Sequence, residues 1–322
     1  MKLAVVVPIS PFESEEVVRK SIEHLKNLDY DGFDVKFVYV IDRSGDDDVR
    51  DKVANDCGVD VIIRNDRRGK RAGAINDAIE YLRSFNPDYV AIFDVDSRPE
   101  RNFVVECVKA LESCADCYIA SSKRYIVNGV NLVSETVEAE YYLLNFLIAR
   151  SAFKQFNGLI GVLRADFLAN ERLREDAVTE DADFATRMHA AGLKASLVKT
   201  TKLYEEAPMS WKELYDQRKR WYYGGLQLWR YRRRMRDAKF AVRVSWYLAL
   251  TLTYVPVIFL PLLLLAPPLL VYHYRRLSKV RVVAGLMIHT LLLQLAAISA
   301  LISYLRGEGV EWGKITRIEE GR

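Results

Sequence analysis

Four cysteines and four histidines in 322 residues leave little material for a metal cage or a disulfide scaffold. His24, His189, His273 and His289 are scattered without ligand spacing, and Cys57, Cys107, Cys114 and Cys117 contain one C-x-x-C with no second pair at zinc distance. Buried thiols are expected for Cys107 and Cys114, with a disulfide only in a chain that tolerates one in the cytosol. Strong net charge is missing too: +4 is modest, and no nucleic-acid partner is expected. The first apolar run leads into PISPFESE without a glycine, so the G-x-G-x-x-G turn of a dinucleotide-binding dehydrogenase is absent there. The start, MKLAVVVPIS, meets Pro8 too early for a signal peptide, and the N-terminal part is expected in the cytoplasm.

Charge is also absent locally. Residues 245–274 contain no Asp, Glu, Lys or Arg, and residues 282–305 form a second uncharged run. Each exceeds the roughly 20 residues that span a bilayer, so a multi-pass cell-membrane protein is expected. Pro256, Pro261, Pro267 and Pro268 interrupt the first run. A hairpin starting near Phe240 would return the basic loop of Arg275, Arg276, Lys279 and Arg281 to the cytoplasm, which favours three membrane segments over two. The basic, aromatic stretch 211–239 reads as helix at the interface, facing anionic headgroups. The division expected is 1–210 cytoplasmic domain, 211–239 interface helices, 240–305 membrane region and 306–322 tail. Apolar or small helix faces in the membrane could pair into a homodimer.

What is present before residue 210 is a βαβ rhythm. Strands are expected at 3–8, 34–41, 59–64 and 89–93, and helices at 14–28, 72–85 and 100–113, which makes an α/β domain with a mostly parallel sheet. In such a sheet ligands bind at the carboxyl ends of the strands. YVAIFDVDSRP places Asp94 and Asp96 there, a pair suited to a divalent cation shared with phosphate oxygens. Asp42 ends the second strand, where its carboxylate can accept hydrogen bonds from a base or ribose. The loop RNDRRGKRAGAIN, with Gly69, Lys70 and Gly73 before a helix, suits phosphate. FNGLIGVLR (156–164), VTEDADFATRMHAAG (178–192) and QRKRW (217–221) complete an ordered set. Singly each has an ordinary structural explanation, Thr179 as a helix cap among them.

Taken in order, these motifs resemble those of a family 2 glycosyltransferase of the processive, cellulose-synthase-like membrane type, over most of residues 1–240. The resemblance implies an A-type nucleotide-sugar-binding domain, then interface helices and a C-terminal α-helical transmembrane region. It implies that Asp42 contacts the nucleotide, that Asp94 and Asp96 handle the diphosphate and a Mn²⁺ or Mg²⁺ ion, and that Asp181 of TED is the general base with Glu180 beside it. Pro8 and Lys70 fall on the donor side, and Gln217, Arg220 and Trp221 match Q-x-x-R-W near the diphosphate and acceptor. Arg43 departs from the pattern, standing where a second acid is usual. The implied activity is inverting transfer of a hexose from GDP-mannose or a UDP-sugar to a lipid-linked acceptor such as polyprenyl or dolichyl phosphate or a lipid-linked oligosaccharide. No membrane helix precedes the domain in this sequence, which is why a closed polymer tunnel is not expected; a processive polysaccharide synthase is the alternative. A nucleotidyltransferase leaves TED and QRKRW without a role, and a non-enzymatic scaffold leaves the whole set without one.

Overall fold

A computed structural model describes residues 1–310 of the chain. They form two compact units: residues 1–124, 153–204 and 233–238 make the first, and residues 125–152, 205–232 and 239 onward the second. The units therefore cut the chain differently from a single boundary at 210. The tail expected at 306–322 lies outside the described residues from 311 on.

The first unit is built on an eight-stranded sheet. Its strands are β1 (Lys2–Ile9), β2 (Asp34–Asp42), β3 (Asp60–Arg64), β4 (Tyr89–Ile92), β5 (Arg98–Pro99), β6 (Cys117–Ile126), β7 (Gly161–Arg164) and β8 (Lys194–Glu205), in the order β3-β2-β1-β4-β7-β6-β8-β5. Helices α1 (Glu15–Lys26), α2 (Arg50–Asp56), α3 (Lys70–Tyr81) and α4 (Phe103–Glu112) alternate with the first strands. The parallel pairing expected holds from β3 through β4 and gives way to antiparallel pairing at β7, so the sheet is mixed. Leu3 to Val7 are fully buried, as a β-branched apolar run covered on both faces must be. Ser14 caps α1, accepting the Val17 amide.

Register aligns the strand ends. Val6 of β1 lies level with Val38 of β2 and Ile92 of β4, and Ile92 with Gly161 of β7. The carboxyl ends of the parallel strands and the loop entering β7 thus share one edge.

Cys114 and Cys117 form a disulfide where α4 turns into β6. The expectation of a buried thiol holds for Cys107 and fails for Cys114. The turn brings the two Cα atoms to 5.3 Å, within bridging reach. Asp116 lies close to both sulfurs, but sulfurs bonded to each other are not thiolate ligands.

Helices α6 (Ala165–Glu171) and α7 (Glu180–Ala190) complete the first unit. The second contains α5 (Leu132–Arg150), α8 (Trp211–Leu228), α9 (Phe240–Leu252), α10 (Ala266–Tyr274) and α11 (Val282–Leu305). Asn131 and Ser134 form a capping box at the start of α5. Val133, Val137 and Tyr141 of α5 pack with Leu214 of α8 and Leu292 of α11. Glu135 of α5 is ion-paired with Lys279 and Arg281, just before α11. Pro256–Tyr274 and Leu277–Leu305 are long and apolar enough to cross a membrane by length and composition. At 13 residues α9 is about 20 Å long, shorter than a bilayer core. α11 buries His289, Leu292, Ala296 and Ala300 and exposes Leu291, Leu295, Ile298 and Leu305, so it is apolar on both faces.

Candidate active site

Arg71 is the centre of the strand-end edge. It stands in the first turn of α3, its side chain 9% exposed, beside the buried small residues Ala72, Gly73 and Ala74. Its Nε and Nη2 both lie 2.9 Å from Asp94 Oδ1, its Nη1 donates to Glu180 Oε1 at 2.7 Å, and its Nη2 also donates to the Gly158 carbonyl. One guanidinium fork thus joins the D-x-D strand end, the loop before β7 and the start of α7, geometry that a lysine point charge cannot supply. Burial works against the charge on Arg71, but Asp94 and Glu180 outweigh it.

The TED segment closes on the same loop. The Gly158 amide donates to Asp181 Oδ2 at 2.6 Å and the Ala182 amide to Asp181 Oδ1 at 2.8 Å. Gly158 adopts φ 62°, a left-handed conformation that glycine takes without strain. Thr179 precedes α7 without making a side-chain cap, so the ordinary capping role open to it is not used. Burial pushes the Glu180 carboxyl up; Arg71 opposes this and the neighbouring Asp181 charge adds to it. Each Asp181 oxygen accepts one backbone amide, and a carboxylate offers about four lone-pair directions, so both retain acceptor capacity.

A second arginine organises the basic loop between β3 and α3. Arg64, at the end of β3, donates to the carbonyls of Arg68 and Lys70 and pairs with Asp77 at 2.9 Å. It thereby curls the basic loop, in which Arg67, Gly69 and Lys70 all have positive φ. Arg64 Nη1 also lies 3.0 Å from Asp42 Oδ1, yet off hydrogen-bond alignment: that buried oxygen has no hydrogen-bond donor. Burial pushes the Asp42 carboxyl up, with Arg64 pulling against it.

Of the residues expected from sequence, Pro8, Asp42, Lys70, Asp94, Asp96, Glu180 and Asp181 all belong to the first unit. Asp94, Glu180 and Asp181 are joined through Arg71 and Gly158, whereas Asp42 and the Lys70 carbonyl meet at Arg64. Gln217, Arg220 and Trp221 lie on α8 of the second unit, half-buried. Arg71 and Arg64 were not legible as site residues, although an arginine set among small residues at a helix start was a signal. Asp94 and Asp96 offer hard oxygen ligands suited to Mn²⁺ or Mg²⁺. Among the described residues no third His, Cys, Asp or Glu closes a cage on them.

Family models match this chain twice: "Glycosyl transferase family group 2" over residues 89–302 and "Glycosyl transferase family 2" over residues 5–167. The chain belongs to glycosyl transferase family 2. Within that family it is 29% identical over 241 residues to probable glucomannan 4-beta-mannosyltransferase 7 of Oryza sativa subsp. japonica, covering 70% of this chain and 41% of the relative. It is 28% identical over 241 residues to glucomannan 4-beta-mannosyltransferase 7 of Arabidopsis thaliana, covering 70% and 43%. This family 2 chain thus spans less than half the length of these curated relatives. Its fold is similar to that of the mannosyltransferase PcManGT from Pyrobaculum calidifontis, solved with GDP-Man and Mn²⁺: TM-score 0.66, 18% identity, covering 95% of this chain and 88% of that one. It also resembles S. aureus TarS 1-349, with a TM-score of 0.54 and 14% identity, covering 96% and 92%.

Proposed function

We propose that this family 2 chain is an inverting, metal-dependent hexosyltransferase. It moves a sugar, mannose first among the candidates, from a nucleotide-diphosphate donor (GDP-mannose or a UDP-sugar) to a lipid-linked acceptor at the membrane. The observation that carries the reading is the Arg71 junction, which sets the D-x-D carboxylate and the TED segment side by side. Asp42, with a buried oxygen lacking a donor, suits a nucleoside N–H or O–H. Pro8 borders the same strand end, and the curled loop ending at Lys70 suits a diphosphate. Asp94 and Asp96 are the residues that would hold the metal, whose charge would stabilise the departing diphosphate. Gln217, Arg220 and Trp221 are assigned to the donor on the Q-x-x-R-W resemblance.

An acceptor oxygen attacks the anomeric carbon as the bond from that carbon to the diphosphate oxygen breaks; the electron pair leaves with the nucleoside diphosphate and the anomeric centre inverts. If the acceptor is a hydroxyl, Asp181 takes its proton. A polyprenyl phosphate arrives already ionised and needs no base. Asp181→Asn is therefore expected to lower turnover about 10²–10⁴-fold with a lipid-linked oligosaccharide and far less with a polyprenyl phosphate.

The two long apolar helices support a multi-pass membrane location, which suits a lipid acceptor; the cytoplasmic placement of the catalytic unit rests on the basic loop of Arg275, Arg276, Lys279 and Arg281 and on a third membrane segment. The relatives' names support the second reading, a polysaccharide synthase, since glucomannan is a polymer. Purified enzyme with Mn²⁺ or Mg²⁺ and a panel of GDP- and UDP-sugars decides between them. Nucleotide release that requires one donor and the lipid supports the first reading; a product ladder made without lipid supports the second, and silence across the panel defeats both.

A further inference from the structure

Arg218 lies inside the run Gln217 to Trp221 but is not among the three residues that Q-x-x-R-W singles out. It is the most deeply buried residue of the run, 2% exposed, on α8. Its Nη2 pairs with Oε2 of Glu140 on α5, and its guanidinium carbon lies 4.0 Å from the centre of the Trp221 ring. Arg218 and Trp221 are three residues apart, which places them on one face of the helix. From α11, His289 brings its Nε2 to 3.7 Å from the same Glu140 oxygen, too far for a hydrogen bond. Arg218 Nε and Nη1 and His289 Nε2 have no hydrogen-bond partner among the described residues.

A buried ion pair is a poor source of stability: apolar side chains of the same volume often pack at least as well, and the unpartnered nitrogens weaken the case further. What the pair supplies is orientation. Glu140 anchors one end of a flat cation whose central carbon lies over an aromatic ring, a contact an ammonium group makes without the same flat face.

We propose that Arg218 is a positioning residue for Trp221: Glu140 fixes the guanidinium, and the guanidinium fixes the indole in the geometry used for transfer. This rests on the reading of Trp221 as a substrate-side residue.

The test is a double-mutant cycle on kcat/KM in the full-length enzyme, with thermal melting recorded for every variant. Arg218→Lys retains the charge facing Glu140 and loses the flat face. It is expected to lower kcat/KM about 3- to 30-fold in the wild-type background, and by less than about twofold once Trp221→Ala is present. Glu140→Gln is expected to show the same pattern and serves if Arg218→Lys does not fold. An equal loss in both backgrounds would show that Arg218 acts through something other than Trp221 and overturn the proposal, as would no loss in the wild type. Trp221→Ala with unchanged kcat/KM would instead defeat the underlying reading, and the inference with it. Because that result is read on the single variant, the two failures are distinguishable.

Discussion

Arg71 is in contact with two carboxylates, and removing it leaves both without their cation. Arg71→Met is expected to cost about 3–5 kcal/mol, the usual consequence of breaking a buried pair from one side. Arg71→Lys is expected to keep more stability but to lose donor affinity, because one ammonium cannot reach Asp94, Gly158 and Glu180 together. Melting in detergent and donor KM read the two effects separately. Glu180 gives the site a pH dependence. Burial raises its carboxyl above the ordinary 4.5, so between that value and the raised one the folded chain holds a proton that the unfolded chain has lost. Its contribution to stability is full below 4.5 and is lost as pH rises through the raised value. Asp48 has the opposite sign: its hydrogen bond to Arg50 holds it well below 3.8, so its contribution is present above 3.8 and lost as pH falls through the depressed value. Glu180→Gln is expected to flatten the decline of melting temperature above pH 4.5 and leave the acid limb in place; parallel profiles for variant and wild type would contradict this.

Among elements, the close approach of α11 to α5 depends on one residue. A Cβ at Gly285 would lie 2.0 Å from Thr136 Oγ1, which is itself bonded to the Leu132 carbonyl. Gly285→Ala is expected to destabilise the helical unit by about 1–3 kcal/mol through overpacking, and Thr136→Ala in the same chain to recover part of that, both read by melting in detergent. The elements themselves were largely legible. Apolar runs and turn residues located β1 through β4 and the helices α1, α3 and α4 to within a few residues, because local propensity and burial agree there, while the seven-residue α2 was not read. The antiparallel strand β7 and the helix α5 were not legible: short strands carry little periodicity, and the partner of an apolar helix is chosen by packing. The disulfide was missed for a similar reason, since C-x-x-C spacing allows a bridge but only the turn from α4 into β6 brings the two Cα atoms together.

For the whole molecule, the exposed apolar faces of Pro256–Tyr274 and Leu277–Leu305 have a consequence for fractionation. The chain is expected to sediment with membranes, to resist alkaline washing and to be released by detergent; release by alkaline washing alone would remove both helices as candidate spans. The sequence by itself determined the α/β alternation, the acidic strand end, the ordered motifs and the uncharged C-terminal runs, because each is written in neighbouring residues or in a fixed spacing. Only the tertiary structure decided that Arg71 gathers Asp94 and Glu180, that Arg64 curls the basic loop beside Asp42, and that residues 125–152 belong with the C-terminal helices. The carboxylate contacts join positions from 22 to 109 residues apart, and Glu135 of α5 meets Arg281 across 146; all are set by sheet register and helix packing, and nothing in the local chain records which charge will face which.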